Sequence, residues 1–293
     1  MTRVIDADAH VIETERTWDY LEPSEQKYRP ILAAARNGRG SGARSPEREY
    51  WVIDGKIRGL RFPTLSEQEL AERSRLAGRN VETPLEAREM DNISLRLEHM
   101  DALEIDVQVL HNTLFIEQVT DRTPVEVAIC GAWNRWMADV WKQAAGRLRW
   151  SCVLPLSSLQ DACDQMRFAR ENGAVAVCMR PIEGNRLIVD PHFYPILEEA
   201  ERQHMPIAVH IANGNTSMCE TLRSPEDPGS GFALFRAPTV IACHSLLLSP
   251  IPQLFPRLRW GFIETAAQWV PWVLREAASR ARAIPGRELP DEV

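Results

Sequence analysis

From residue 93 onward, short apolar segments alternate with longer segments that mix apolar and polar residues. This alternation limits the fold more than any other feature of the chain. The apolar segments are typical of strands buried on both faces. They cover residues 106–111, 150–155, 174–179, 206–211 and 258–264. The other segments predict helices over residues 93–103, 124–145, 159–171, 193–203, 238–254 and 268–282. Together they predict an α/β protein in which helices cover a parallel sheet.

A further strand opens the chain, where the β-branched run Val4-Ile5 leads into Asp6-Ala7-Asp8-Ala9-His10. The resulting six strands fall two short of the eight that close a TIM (β/α)8 barrel. We therefore expect one domain over residues 1–293, a (β/α)8-type barrel that is incomplete, with six of eight strands.

Residues 14–92 interrupt the pattern after the first strand and predict an insertion or cap. Within them, residues 37–48 are rich in Gly, Arg and Ser, which is typical of an exposed loop. Residues 50–57 predict a small hairpin with Asp54-Gly55 at its turn. Loops this long are uncommon without a function, so the insertion is expected to cover a site.

The first strand ends in a carboxylate and an imidazole two positions apart, Asp8 and His10. Side chains alternate between the faces of a strand, so both point the same way. Their oxygen and nitrogen atoms suit Zn²⁺, Mn²⁺ and Fe²⁺. The alternative is a capped strand end, in which Asp8 accepts hydrogen bonds from turn amides and His10 bonds to a backbone carbonyl.

Other polar side chains follow the predicted strands at their carboxyl ends, where parallel barrels carry their active sites. These residues are His111, Arg180, His210 and Glu264. Because the strand ends share one rim, we expect these groups to converge on the first strand's pair. Asp8, His10 and His210 would then supply three ligands and leave one position on the ion open for chemistry. Taken singly, each of these residues could instead be structural.

His244 lies inside the predicted helix over residues 238–254. Two interpretations stay open for it. It is either a buried helix histidine bonded to a carbonyl or a catalytic histidine that faces the metal.

Composition narrows the choice of partner. The formal net charge of −7 argues against nucleic acid or an anionic membrane. The chain shows no signal peptide and no apolar run of the roughly 20 residues that span a bilayer. Its six cysteines are scattered without CxxC pairs, as expected of reduced thiols in the cytoplasm. We therefore expect a cytoplasmic protein that acts on a small molecule.

An ordered set of motifs runs through nearly the whole chain: Ile5-Asp6-Ala7-Asp8-Ala9-His10-Val11-Ile12-Glu13, Arg96-Leu97-Glu98-His99-Met100-Asp101, Ile105-Asp106-Val107-Gln108-Val109-Leu110, Trp133-Asn134-Arg135-Trp136, Leu154-Pro155-Leu156, Pro206-Ile207-Ala208-Val209-His210, Phe255-Pro256-Arg257-Leu258-Arg259, and Glu264 with Trp269-Val270-Pro271. This set resembles the amidohydrolase-related family of metal-dependent TIM barrels, which includes aminocarboxymuconate semialdehyde decarboxylase and γ-resorcylate decarboxylase.

The resemblance implies that Asp8, His10 and His210 bind a divalent metal, with zinc expected first and manganese or iron as alternatives. Glu264 stands where decarboxylase members carry a catalytic histidine in a His-Gly-Gly-Gly-like turn, whereas here the turn is Glu264-Thr265-Ala266-Ala267. We expect Glu264 to act as general acid or base, and Arg180 to clamp a substrate carboxylate. Glu264 and His244 could alternatively bind a second ion.

The resemblance also implies two further strands, the last ending in a Gly-Thr/Ser-Asp-Tyr-Pro-like turn whose aspartate completes the metal site. No such motif follows Trp272. The expectation from the sequence is therefore a truncated chain that lacks strands seven and eight. A sheet with two open edges is prone to aggregation, so a homo-oligomer or a heteromer with a related barrel is expected.

The function expected from the sequence is that of a metal-dependent hydrolase or non-oxidative decarboxylase acting on a small carboxylated or cyclic substrate. Two alternatives stay open. One is a dinuclear iron or manganese oxygenase on the same scaffold, and the other is a non-catalytic subunit that partners an active paralogue.

Overall fold

The computed structural model describes residues 3–35, 48–60, 67–78, 83–223 and 231–283. The described strands are β1 (Ile5–His10), β2 (Ile31–Ala35), β3 (Arg48–Ile53), β4 (Lys56–Leu60), β5 (Val107–His111), β6 (Leu148–Cys152), β7 (Ala174–Met179), β8 (Ile182–Glu183), β9 (Arg186–Leu187), β10 (Ile207–His210) and β11 (Trp260–Ile263). The described α-helices are α1 (Glu67–Ala77), α2 (Leu85–Arg88), α3 (Ile93–Ala102), α4 (Thr123–Gln143), α5 (Leu159–Glu171), α6 (Tyr194–Arg202), α7 (Thr216–Leu222), α8 (Ala237–Leu248), α9 (Ile251–Leu254) and α10 (Val270–Ala281).

Six strands form one parallel sheet in the order β1-β5-β6-β7-β10-β11. Strands that follow one another within this sheet are neighbours, and helices lie in the connections between them, so the predicted α/β architecture is confirmed. In the described part of the chain, β1 and β11 form the two edges of this sheet.

The sheet curls like half of a barrel. Three strands lie between β1 and β10, so their ends would be roughly 19 Å apart in a flat sheet with about 4.8 Å between strands. Instead, Nε2 of His10 at the end of β1 lies 3.1 Å from Nε2 of His210 at the end of β10. This curvature brings side chains from distant strands to one rim.

Two predicted elements match the observed ones residue for residue, the helix over 159–171 and the strand over 174–179. The strand predicted over 150–155 is observed at Leu148–Cys152 instead. It ends early because the side-chain amide of Asn134 bonds both backbone groups of Val153: it accepts from the N–H at 3.1 Å and donates to the carbonyl at 2.8 Å.

The helix predicted over 238–254 is divided into α8 and α9. Ser249 is extended, with ψ of 166°, and Pro250 has no amide hydrogen to continue the helical ladder. A π-helix over Phe232–Arg236 leads directly into α8.

The insertion contains a small antiparallel sheet. The hairpin predicted over 50–57 is formed by β3 and β4, and β2 adds a third antiparallel strand. One face of this sheet buries Trp51, whose ring meets that of Trp18 edge-on at 5.6 Å between centroids. The loop predicted over 37–48 lies outside the described residues, apart from the first residue of β3.

The hydrophobic core lies between the sheet and its helices. The long helix α4 contributes Trp133 and Trp136, and Trp133 packs against Trp150 of β6 at 6.0 Å between ring centroids. No helix in the described ranges is long and apolar enough to cross a bilayer.

The Asn134–Val153 bonds generate a stability prediction. Asn134→Ala leaves two buried backbone groups without partners, and each that stays unsatisfied costs about 1–3 kcal/mol. We therefore expect a clear drop in the free energy of unfolding by urea denaturation. The exposed substitution Gln143→Ala on the same helix is the control, expected within roughly 0.5 kcal/mol of the parent. Equal midpoints of urea denaturation for the two variants would show that the Asn134–Val153 hydrogen bonds do not stabilise the fold.

Candidate metal centre

Four side chains meet at the carboxyl ends of the strands. Asp8 and His10 come from β1, His210 is the last residue of β10, and Glu264 directly follows β11. One ligand atom from each lies within 4.8 Å of all the others. Among the described residues, these four form the group of His, Cys, Asp and Glu side chains that can hold a metal ion.

The separations fit a single ion. Nε2 of His10 lies 3.1 Å from Nε2 of His210 and 3.6 Å from Oδ1 of Asp8. Oε2 of Glu264 lies 3.7 Å from Nε2 of His10 and 3.4 Å from Nε2 of His210. Ligand atoms around a tetrahedral ion with bonds of about 2.0–2.2 Å lie roughly 3.3–3.6 Å apart. The measured separations of 3.1–3.7 Å are therefore close to those between ligands of one ion.

The tautomers of both histidines follow from their outer nitrogens. Nδ1 of His10 lies 3.1 Å from the Asn112 carbonyl oxygen, and Nδ1 of His210 lies 3.2 Å from that of Ile211. A carbonyl only accepts, so each Nδ1 carries the hydrogen and each neutral ring has its lone pair on Nε2. The two lone pairs face each other, an arrangement that requires a cation between them. Metal-binding histidines show this same outer hydrogen bond.

The charges in the cluster favour a cation as well. Burial opposes ionisation of Asp8, but hydrogen bonds from His10 and His210 outweigh it and hold the pKa of Asp8 below its ordinary value. A hydrogen bond from His10 lowers the pKa of Glu264. Burial opposes a charge on His10, but Asp8 and Glu264 outweigh it and raise the pKa of His10 to about 9. A proton on His10 thus takes the place of a metal ion in metal-free protein.

Glu264 reaches the cluster through an unusual backbone conformation. Its φ is +62°, in the left-handed region that non-glycine residues seldom adopt. Strain of this kind persists where the surrounding structure enforces it, commonly at functional sites. The hydrogen bond from His10 lowers the pKa of Glu264, so its carboxylate is ionised at neutral pH in the metal-free protein.

His111 lies beside the cluster but does not join it. Its ring centroid is 5.4 Å from that of His210. Its Nε2 bonds to the Ala7 carbonyl oxygen at 2.9 Å, and its Nδ1 bonds to Oγ of Ser151 at 2.9 Å. Burial lowers the pKa of His111 to about 4. Both nitrogens are engaged, and the ring is neutral.

Arg180 and His244 lie outside the cluster. The Arg180 guanidinium pairs with Glu183, through Nε at 2.7 Å and Nη2 at 2.6 Å, and its Nη1 donates to the carbonyls of Phe115 and Glu117. These protein acceptors occupy the donors that a substrate clamp would use. His244 is half-buried on α8 and is not a member of the ligand group.

A cavity of about 370 Å³ opens beside the cluster. It is lined by His10, Ile12, Arg88, Thr113, Ile116, His210, Ile211, Phe235 and Glu264. Arg88, the last residue of α2, was missed at the sequence level because it lies in the insertion, far along the chain from any predicted strand end. Burial lowers the pKa of its guanidinium, while the charges of Glu89 and Arg73 act on it in opposite directions.

Fold and cluster together define a class of protein, a metal-dependent enzyme on a TIM-barrel-like scaffold. Solved structures share this fold. An amidohydrolase from Mycobacterium avium subsp. paratuberculosis is 17% identical, with a TM-score of 0.72 over 97% of this chain and 78% of its own. The 2,6-dihydroxybenzoate decarboxylase from Rhizobium is 15% identical, with a TM-score of 0.59 over 100% of this chain and 76% of its own.

A third structure holds a metal. The 5-carboxyvanillate decarboxylase from Novosphingobium aromaticivorans, in complex with manganese and 4-hydroxy-3-methoxy-5-nitrobenzoic acid, is 17% identical, with a TM-score of 0.59 over 96% of this chain and 70% of its own. No curated protein matches the sequence significantly.

The family profile of the amidohydrolases matches residues 5–286, and the chain belongs to this family. It is therefore an enzyme of the metal-dependent hydrolase or carboxy-lyase type. The family implies a divalent metal, and the two imidazoles and two carboxylates described above are a donor set that fits one.

The raised pKa of His10 predicts how metal affinity depends on pH. Below about pH 9 the ion must displace the proton on His10, whereas Asp8 and Glu264 are already ionised. The association constant for Mn²⁺ should therefore rise roughly tenfold per pH unit across about pH 7–9 and then level off.

Titrating metal-free protein with Mn²⁺ at several pH values, followed by electron paramagnetic resonance, measures this dependence. In Asp8→Asn, the affinity should be weaker and should level off at lower pH, because the neutral amide no longer holds the proton on His10. An affinity that stays constant between pH 7 and 9 in the parent protein would refute the assignment.

Proposed function

We propose that this enzyme uses one divalent metal ion to hydrolyse a small, carboxylated organic molecule. One observation carries the proposal: the four ligand atoms converge beside a cavity that also contains Arg88. The cavity volume of about 370 Å³ suits a small organic ligand.

Asp8, His10 and His210 are proposed to hold the ion, with zinc as the first metal to test and manganese or iron next. When bound, such an ion supplies Lewis-acid polarisation and makes water easier to deprotonate. His210 is almost fully buried, with 3% exposure, whereas the Asp8 side chain is 40% exposed. The cluster is therefore buried at His210 and exposed at Asp8, while His10, His210 and Glu264 line the cavity.

Glu264 is proposed to act as the general base. It lines the cavity, with Oε2 3.4 Å from Nε2 of His210, so an ionised Glu264 can accept the proton of an attacking water beside the ion. Its side chain is 43% exposed, which leaves it accessible to water. An acceptor in this place serves hydrolysis, whereas decarboxylation needs a proton delivered to carbon, and on that ground we propose hydrolysis first.

Arg88 is proposed to bind the substrate's carboxylate, the role that the sequence had given to Arg180. Burial disfavours the charge of the Arg88 guanidinium, and the charges of Glu89 and Arg73 act on its pKa in opposite directions. A carboxylate in the cavity would therefore stabilise that charge through a charge-assisted hydrogen bond. Ile12, Ile116 and Phe235 provide apolar walls for the remainder of the molecule.

Non-oxidative decarboxylation is the second candidate. Two proteins with the same fold are decarboxylases of aromatic carboxylates, 2,6-dihydroxybenzoate and 5-carboxyvanillate. The Arg88-lined cavity would accept such substrates as well. In that reaction a protonated Glu264 would have to deliver the proton to carbon.

Glu264→Gln separates the roles of base and ligand. If Glu264 is the base, turnover should fall by about 10²–10⁴-fold while the metal content, measured by elemental analysis, stays at one ion per chain. Loss of both metal and turnover would instead identify Glu264 as an essential ligand and remove it from the role of base.

Arg88 provides the test of substrate class. Metal-loaded protein is assayed on small amides, esters and lactones that carry a carboxylate, on their uncharged methyl esters, and on hydroxybenzoates for release of CO₂. Arg88→Gln should raise KM for the carboxylated compounds by roughly 10–100-fold, as expected for a charged hydrogen bond, and leave KM for the uncharged ones unchanged.

Release of CO₂ without hydrolysis would make the second candidate correct. An equal effect of Arg88→Gln on the KM of charged and uncharged compounds would show that Arg88 does not bind the substrate's carboxylate. Gln118→Ala, a substitution outside the lining of this cavity, is the control.

A further inference from the structure

Strand β1 slips in register directly before the metal centre. It pairs in parallel with β5, with Asp6 opposite Gln108 and Ala9 opposite Leu110. Ala7 and Asp8 therefore lie together opposite the single residue between them on β5, which is a β-bulge. A bulge leaves part of the ladder unpaired and changes the direction of a side chain, and bulges are common beside active sites.

The peptide group inside this bulge is held by side chains at both of its ends. The Ala7 carbonyl oxygen accepts a hydrogen bond from Nε2 of His111 at 2.9 Å. On the other side of the same peptide, the Asp8 N–H donates to Oδ1 of Asp6 at 3.1 Å. Two side chains thus replace the ladder contacts that the bulge interrupts, immediately before the Asp8 carboxylate.

His111 can serve this purpose in one tautomer. Because the Ala7 carbonyl only accepts, Nε2 of His111 carries the hydrogen and Nδ1 must accept. The donor to Nδ1 is the Ser151 hydroxyl on β6, at 2.9 Å. His111 is 1% exposed and Ser151 is fully buried, so the ring has no water to replace either partner.

Asp6 is anchored in its turn by a buried chain of hydrogen bonds. Its Oδ2 accepts from Nε2 of Gln108 at 3.0 Å, and Oε1 of Gln108 accepts from Nε of Arg96 at 2.7 Å. Nη2 of Arg96 also donates to the His10 carbonyl at 3.3 Å. The network therefore ties both β1 ligands to β5 and α3.

We propose that His111 and Asp6 are positioning residues that fix the Ala7–Asp8 peptide, so that the Asp8 carboxylate faces the cation together with His10. Neither residue binds the ion or exchanges a proton with substrate in this role. The inference rests on the proposed function, because it assumes that Asp8 is a metal ligand.

A merely structural core histidine would behave differently. Its loss would lower the free energy of unfolding, but the metal affinity of the folded protein would not change. Met166 of α5 provides the comparison, because it is fully buried in the core but belongs neither to the bulge nor to the group of candidate metal ligands.

The test measures Mn²⁺ affinity in four variants of the full chain: His111→Leu, His111→Gln, Ser151→Ala and Met166→Ala. His111→Leu should weaken binding by roughly 10–100-fold, the range for outer-shell partners of metal ligands. His111→Gln keeps an N–H donor near the Ala7 carbonyl and should recover much of the loss. Ser151→Ala should weaken binding less than His111→Leu, and Met166→Ala should bind as the parent does despite its lower stability.

A double-mutant cycle with Asp8→Asn decides whether His111 acts through Asp8. If it does, His111→Leu should cost little further affinity in the Asp8→Asn protein, so the two effects are not additive. Additive effects, or parental affinity in His111→Leu, would overturn the proposal. If His111→Leu does not fold, Ser151→Ala enters the same cycle with the same two outcomes.

The outcomes also separate this inference from the proposed function. If parental protein binds no metal, the proposed function fails and this inference fails with it. If parental protein binds one ion and is active, but the positioning variants bind equally well, the inference alone is wrong.

Discussion

Two imidazole lone pairs that face each other at 3.1 Å need a cation between them. The Asn112 and Ile211 carbonyls fix this arrangement, because each takes the hydrogen of an outer ring nitrogen. The carboxylates of Asp8 and Glu264 add negative charge on the same point. Either a proton or a metal ion satisfies the cluster, and competition between the two links its chemistry to pH.

The fold brings these four groups together from strands that are far apart. The curled parallel sheet brings together the ends of β1 and β10, which would lie roughly 19 Å apart in a flat sheet, and the strand direction places every carboxyl end on one rim. Within that frame, two local irregularities complete the site. A bulge turns Asp8, and a left-handed residue turns Glu264. The regular strands thus form the sheet, and the two irregular positions set the directions of the Asp8 and Glu264 side chains.

The frame and the convergence of Asp8, His10 and His210 could be predicted from sequence because their signals are local. Apolar runs marked the strands, and the Asp8-Ala9-His10 pattern and the strand end at His210 marked the rim. The contacts that decide roles are not local: His10 meets His210 across 200 positions, and His111 reaches Ala7 across 104. Arg180 followed a strand and was expected at the site, yet Glu183 three residues later pairs with it. Arg88 came from the insertion, where the sequence has no strand periodicity.

X-ray absorption at the metal edge shows which atoms bind the ion. Protein is stripped of metal, loaded with one equivalent of zinc or manganese, and measured beside His10→Ala and His210→Ala. We expect two imidazole nitrogens and at least one carboxylate oxygen around the ion, with one imidazole lost in each variant. A bound ion whose spectrum shows no imidazole, or does not change in either variant, would contradict this expectation.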